Sequence, residues 1–441
     1  MKNIFKKIIV SILQFEAKLV LKKYKPKIVA VTGSVGKTTT KDAIYTVLNS
    51  AFYVRKSEKS FNSEIGVPLT ILGCENAWSN PFLWVKNIFI GLGVILLKNH
   101  YPKWLILEVG ADAPGDIKRS AKLLRPNIVV MTQFAKVPVH VEFFKSPQDL
   151  MDEKKKLAKY MRRNGILVFN YDDEDMASIK IPTDAQKISF GYKDGADIQG
   201  MNDEILYKDG APVGQMFRVE YAGASAPMKL NGVIGKAHSF SALAAIAVGA
   251  SQNLNVAQIS EALAKNYRTQ PGRMRVLKGI KKTTLIDDSY NASPIAVQKA
   301  VETMGMLRVK EEGVDPEEHH GRKIVALGDM LELGKFSAEE HKKIGELVAK
   351  NADVLVAVGL RAQQHIVEGA LIGGMSEKNI FSFEKSDEAG KFLQNEIHEN
   401  DIVLIKGSQS IRMEKITGEI MAEPEKKREL LVRQEAEWLL R

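Results

Sequence analysis

The chain has a single cysteine, Cys74, in 441 residues. That excludes an internal disulfide and any cysteine-rich zinc site, and it fits a reducing compartment. No apolar run reaches the ~20 residues that a bilayer crossing needs. The first 24 residues, MKNIFKKIIVSILQFEAKLVLKKY, are broken by lysines, and the apolar stretch 82–97 holds Lys86 and Asn87. No small-residue cleavage site follows the N-terminal segment, which argues against a signal peptide. There is no internal repeat, no low-complexity tract and no helix-turn-helix or other nucleic-acid module. The net charge of +10 is then left to meet small anions, nucleotides or an anionic membrane surface.

Hydrophobic residues make up 45% of the chain and charged residues 26%, a soluble globular profile in a chain too long for one core. Apolar segments alternate with helical patterns: KIVAVTG (27–33), WLILEVG (104–110), NIVVMTQ (127–133) and GILVFN (165–170) read as strands, and 147–163 and 237–250 as helices. This alternation predicts an α/β fold with a mostly parallel sheet covered by helices. Residues 183–232 read as a β-rich excursion within the same domain, and TQPGRMRV (269–276) as a junction. Beyond it TTLIDD, KIVALGD, DVLVAVG and DIVLIKG renew the alternation, and the tail 419–441 reads as charged and helical. The division is a basic amphipathic N-terminal helix (1–26), a central domain (27–270) with an apolar insert (76–103), and a second α/β domain (271–441).

The strongest local signal is Gly33-Ser34-Val35-Gly36-Lys37-Thr38-Thr39, set between a strand and a helix. Backbone N–H groups of such a loop wrap phosphate oxygens, and the helix N-terminus adds a favourable dipole. Lys37 is placed to reach terminal phosphates and Thr38 to ligate Mg²⁺.

The shortened loop TGSVGKTTTKDAI resembles the phosphate loop of the Mur ligase family, and the resemblance continues in order over roughly 27–420. FNSEIGVPLTIL (61–72), LEVGADAPGDI (107–117), Val139-His140-Val141-Glu142 and SPQDLMDEKKKL (146–157) resemble segments of the central domain. GRMRV, DDSYNASP (287–294), ALGDMLELG (326–334) and IKGSQSIRMEKI (405–416) resemble the second half of the MurF-like branch, which adds D-alanyl-D-alanine to a peptidoglycan precursor. The fold so implied is a P-loop central domain followed by a Rossmann-like α/β C-terminal domain.

The implied reaction is amide ligation: ATP phosphorylates a carboxylate and an amine displaces the phosphate. The protein has to neutralise crowded anionic charge and hold the reactants in line. The resemblance gives two Mg²⁺ ions, with Thr38 and Glu108 as ligands of the first and His140 of the second. It implies a carbamylated lysine, a further metal ligand, at Lys154, beside Lys155 and Lys156. Arg273 is expected to meet ATP across a cleft, and Asp288 and Asn291 to touch ribose or activated substrate. Asn62, Lys406 and Ser408 are expected on the substrate side.

Two departures stand out. Ser241, in GKAHSFSALAA, and Gln409, after KGS, replace a common asparagine and arginine. Only about 26 residues precede the first strand, too few for the uridine-nucleotide-binding domain that the resemblance implies. The alternatives are a ligase for poly-γ-glutamate or folate polyglutamate, or a phosphate-loop ATPase with a regulatory role and no ligation. A cytoplasmic site is expected, with the N-terminal helix and the insert either docking on the inner face of the membrane or covering each other.

Overall fold

The computed structural model describes residues 2–58, 61–78, 80–174, 176, 178–309 and 321–439. Strand β1 (Lys27–Thr32) is apolar on both faces. Ile28 and Ala30 enter one core, Val29 and Val31 the other, as a strand covered by helices on both sides requires. It lies third in a sheet ordered β2 (Val54–Lys56), β3 (Trp104–Glu108), β1, β4 (Ile128–Met131), β5 (Ile166–Asn170), β6 (Gln186–Gly191), β7 (Ile198–Lys208), β8 (Ala211–Tyr221) and β9 (Ala224–Asn231). Pairing is parallel from β2 to β7 and antiparallel from β7 to β9. The β-rich excursion is thus an extension of the same sheet.

The second sheet runs β10 (Arg275–Lys278), β11 (Thr284–Asp288), β15 (Ile402–Lys406), β12 (Lys323–Gly328), β13 (Val354–Val358) and β14 (Ile380–Phe383). Only β10 is antiparallel to its neighbour. Again alternate residues serve opposite cores: Ile402 and Leu404 one, Val403 and Ile405 the other.

Helix α1 (Lys2–Tyr24) covers the first sheet with Leu13, Ala17 and Val20, all fully buried. The side chains of Lys2, Lys6 and Lys7 lie outside the described residues. Next come α2 (Lys37–Asn49), α3 (Gly66–Leu72) and α4 (Pro81–Leu96). The apolar insert is therefore a helix, started by Asn80, whose side chain accepts from the Phe82 and Leu83 amides. It packs on α1: the Tyr24 hydroxyl donates to Val94 O at 3.1 Å and Lys23 Nζ to Ile95 O at 2.8 Å. Among the described residues no helix is long and apolar enough to cross a membrane. The remaining helices that bear on the site are α5 (Asp116–Leu124), α6 (Pro147–Lys159), α7 (Lys236–Ala250), α8 (Val256–Asn266) and α9 (Pro294–Met306).

The tail differs from expectation. Among the described residues, helix Glu414–Ile420 is followed only by short turns at Pro424–Lys426, Lys427–Leu430 and Ala436–Leu439. Pro424 interrupts the helical run. The buried Arg433 guanidinium then binds Glu414 Oε2 at 2.8 Å and Ser289 O at 3.2 Å. A chain held by these non-local partners bends back over the second sheet.

Candidate active site at the phosphate loop

β1 delivers the loop at its C-terminal end, where parallel sheets place ligand sites. Gly33 has φ 148° and Gly36 φ 80°. A Cβ on Gly33 would fall 2.0 Å from Thr132 Oγ1, so only glycine lets the loop pass β4. The Ser34 amide donates to Gln133 O at 2.8 Å. Gly36, Lys37, Thr38 and Thr39 open the first turn of α2 onto a cleft of about 320 Å³ lined from both sheets.

Thr38 Oγ1 donates to Glu108 Oε2 at 2.8 Å, and Asn62 Nδ2 donates to Glu108 Oε1 at 3.2 Å. Glu108 ends β3 and is 1% exposed. From the other half, Arg273 Nη2 donates to Thr38 Oγ1 at 3.1 Å. The Arg273 guanidinium stacks 3.9 Å over the Tyr290 ring. Burial lowers the Lys37 ammonium below its ordinary range, against the pull of Glu108.

Lys154 lies on the inner face of α6, in line with buried Leu150, Leu157 and Ala158. Its Nζ donates to Ser34 Oγ at 3.3 Å. Burial, and then the neighbouring Lys37 charge, push it well below the ordinary lysine range. The expected neighbourhood of Lys155 and Lys156 is corrected here. Those two are half-buried and pair with the exposed Asp152 at 4.0 Å and the buried Glu153 at 2.6 Å, and the cation that acts on Lys154 is Lys37.

His140 has φ 70° and lines the cleft. Its Nδ1 is 2.7 Å from Glu332 of the second half and its Nε2 is 3.8 Å from Asp112. Desolvation lowers its pKa despite both carboxylates. Asp288 and Asn291 also line the cleft, with Lys406. The Lys406 charge is already matched: Nζ lies 2.6 Å from Asp288 Oδ2 and 2.8 Å from Asn291 O. Ser408 does not join the lining. Its buried hydroxyl accepts from the Leu331 amide at 2.9 Å, so it holds the 330s loop. Ser241 ties α7 to α2, through Thr39 Oγ1 at 2.9 Å and Thr40 Oγ1 at 3.1 Å.

Three cleft residues, Asp112, Tyr290 and Lys299, and one neighbour of the cleft, Glu332, went unread in the sequence. Asp112 and Glu332 lie inside the quoted strings and flank His140; Tyr290, between Asp288 and Asn291, carries Arg273. Lys299 on α9 bonds Gln133 Oε1 and sits 5.0 Å over the Phe240 ring, and burial pushes it down to about 8.

Among the described residues no three His, Cys, Asp or Glu side chains converge as a ready-made metal site. Thr38 with Glu108 is a pair of hard oxygen donors, the kind Mg²⁺ uses when substrate phosphates and water complete its shell. The residues fit such an ion.

Comparison with known proteins agrees with this geometry. Residues 31–83 and 89–249 match the Mur ligase middle domain, and 272–409 the Mur ligase glutamate ligase domain. The chain belongs to the Mur ligase family. Within it, the chain is similar to the UDP-N-acetylmuramoyl-tripeptide–D-alanyl-D-alanine ligase of Bacillus subtilis, at 26% identity over 93% of this chain and 79% of that one. The Escherichia coli ligase of the same name is 25% identical over 88% and 76%. The structure of a MurF ligase from Thermotoga maritima in complex with ADP superposes with a TM-score of 0.75 at 26% identity, over 95% of this chain and 84% of that one.

Proposed function

We propose that the protein is an ATP-dependent carbon–nitrogen ligase that adds D-alanyl-D-alanine, or a similar amine, to a peptidoglycan-precursor peptide through an acyl phosphate. The observation that carries this is the meeting of both halves on one side chain: Thr38 of the phosphate loop is bonded to Glu108 and to Arg273. A loop for polyphosphate, a buried carboxylate and a cation from the opposite sheet suit phosphoryl transfer to an acid. The relatives' names supply the acceptor and amine.

In the first step a carboxylate oxygen of the acceptor attacks the γ-phosphorus of ATP, and the bond to ADP breaks. In the second the amine attacks the acyl carbon, phosphate leaves and the amine gives up a proton. Lys37 and the first turn of α2 hold the phosphates, and Arg273 offsets charge from the facing side. Thr38 and Glu108 would hold one Mg²⁺, and His140 with a carbamate on Lys154 a second; such ions neutralise the charge that builds on the transferring phosphoryl group. An unmodified ammonium has no acceptor for a metal. Burial lowers the Lys154 ammonium well below its ordinary range and so favours the neutral amine, the form that takes up carbon dioxide. Lys406, paired with Asp288, sets the position of Asn291 O, and Asn62 orients Glu108.

The other polymer ligases remain the second reading; likeness to a folylpolyglutamate synthase structure at 12% identity shows the fold alone. The reaction belongs in the cytoplasm, with peripheral contact at the inner face of the cell membrane and no nucleic-acid partner. Purified protein given ATP, UDP-N-acetylmuramoyl-tripeptide and D-alanyl-D-alanine should form the new amide and release one phosphate for each. Phosphate release indifferent to the amine would favour the regulatory ATPase.

A further inference from the structure

α4 turns half of its circumference outward as an apolar surface. Trp84, Asn87 and Gly91 face the protein. Phe82, Val85, Phe89, Leu92 and Leu96 follow each other at three- and four-residue steps on the opposite side, with Phe82 83%, Phe89 67% and Leu96 77% exposed. A soluble surface rarely leaves so many large apolar side chains together without an occupant. α4 abuts α1 at Gly91, against the buried Glu16, and the neighbouring Phe15 of α1 is 62% exposed.

Charge selects the occupant. Lys18, Lys22, Lys86 and Lys98 are exposed on or beside these helices. The two helices contain one acid, Glu16, and it is buried; the whole stretch 76–103 contains none. A protein interface is rimmed by polar residues of mixed character, whereas an apolar face whose own two helices expose lysines and no acid matches an anionic lipid surface. The 16 residues of α4 give a rod of ~24 Å, short of the ~30 Å hydrocarbon core, so the helix would lie in the interface. Lys86 falls within the exposed face, and its long stem lets the ammonium reach the headgroups.

We propose that the α1–α4 surface docks the protein on an anionic lipid bilayer. Its consequence rests on the ligase reading. A groove of about 630 Å³ runs from Phe15 and Lys18 of α1 to Asn62 and Asp112 at the cleft. Docking sets that groove beside the headgroups, and the acyl acceptor enters from the membrane side.

The test is flotation of the full chain with phosphatidylcholine vesicles, with and without phosphatidylglycerol, at low and high salt. Wild type should float with the anionic vesicles at low salt and keep part of that binding at high salt. Phe89→Glu with Leu96→Glu should cut the bound fraction ~10-fold at both salts, since charge on the inserted face opposes burial. Lys22→Ala with Lys86→Ala and Lys98→Ala, none of which lines the groove or the cleft, should lose the preference for phosphatidylglycerol. The variants' circular dichroism and their phosphate release with soluble substrates should match wild type, because the altered side chains lie outside the cleft. Wild type that stays unbound at low salt overturns docking, as does equal binding by the glutamate variant. Wild type that sediments as a dimer without vesicles, and is dispersed by the glutamates, overturns it in favour of a second copy of the chain. Failure of wild type to ligate, with flotation intact, would sink the functional reading alone.

Discussion

Lys154 Nζ lies 3.3 Å from Ser34 Oγ, although 120 residues separate them in the chain. The contact brings the inner face of α6 to the phosphate loop and sets a desolvated amine beside Lys37.

The first prediction concerns that amine. Lys154→Ala should lower turnover ~10²-fold, the scale on which metal sites respond to lost support. A short acid such as acetate should restore part of it by placing a carboxylate in the vacated space. Lys155→Ala loses only a 4.0 Å pair with the exposed Asp152, and exposed pairs contribute little; Lys156→Ala unpairs the buried Glu153, a contact apart from the phosphate loop, so both should stay within ~2-fold in turnover. Steady-state rates with and without acetate check this. A normal rate for Lys154→Ala would remove the carbamate from the account.

Lys37→Ala should abolish turnover, with a loss of ~10³-fold or more, because the phosphates lose their main side-chain cation. The loop is built by Gly33, Gly36 and the Ser34–Gln133 bond, so the melting temperature should hardly move. Thermal melting beside phosphate release separates the two.

Arg273→Ala should cost ~10²-fold in kcat/KM, the usual scale for a preorganised charge donor. Arg273→Lys should recover only part, since an ammonium cannot both stack on Tyr290 and donate to Thr38 in the way the planar guanidinium does.

A stability prediction follows from Glu16. Both carboxylate oxygens are buried without a hydrogen-bond partner, and burial raises the group from 4.5 to about 7. Between those values the folded protein binds more protons than the unfolded chain, so this group's contribution weakens as pH rises through about 7. Glu16→Gln should stabilise the fold at pH 8 by on the order of 2 kcal/mol and change little at pH 4. Equal effects at both pH values in urea melts would contradict the assignment.

His238 works in the other direction. It sits between Tyr267 OH at 2.9 Å and Arg273 O at 3.0 Å, and burial lowers it to about 4. It favours the folded state above pH ~6.5 and progressively less as pH falls toward about 4. His238→Gln should flatten that acid limb of the melting curve.

Much of the parallel core was legible because its strands are continuous apolar runs, and β1, β3, β4 and β5 lie where those runs do. The tail was not, since its path is set by Arg433 reaching Glu414 and Ser289 O, partners that no local pattern reveals. Lys154 could have been separated from its neighbours by helical spacing alone: Leu150, Lys154, Leu157 and Ala158 share one buried face. Ser408 stands in a family string, and its bond from the Leu331 amide is a contact that no string reveals. Glu332 was read only as part of a string; its place against His140 depends on how the two halves meet.

The central claim is ligation, and the most direct measurement is phosphate release by the purified chain with ATP and each substrate left out in turn. The account predicts release only when UDP-N-acetylmuramoyl-tripeptide and D-alanyl-D-alanine are both present, with one amide product by mass spectrometry for each phosphate. Release at the same rate with ATP alone, and no amide product, would contradict it.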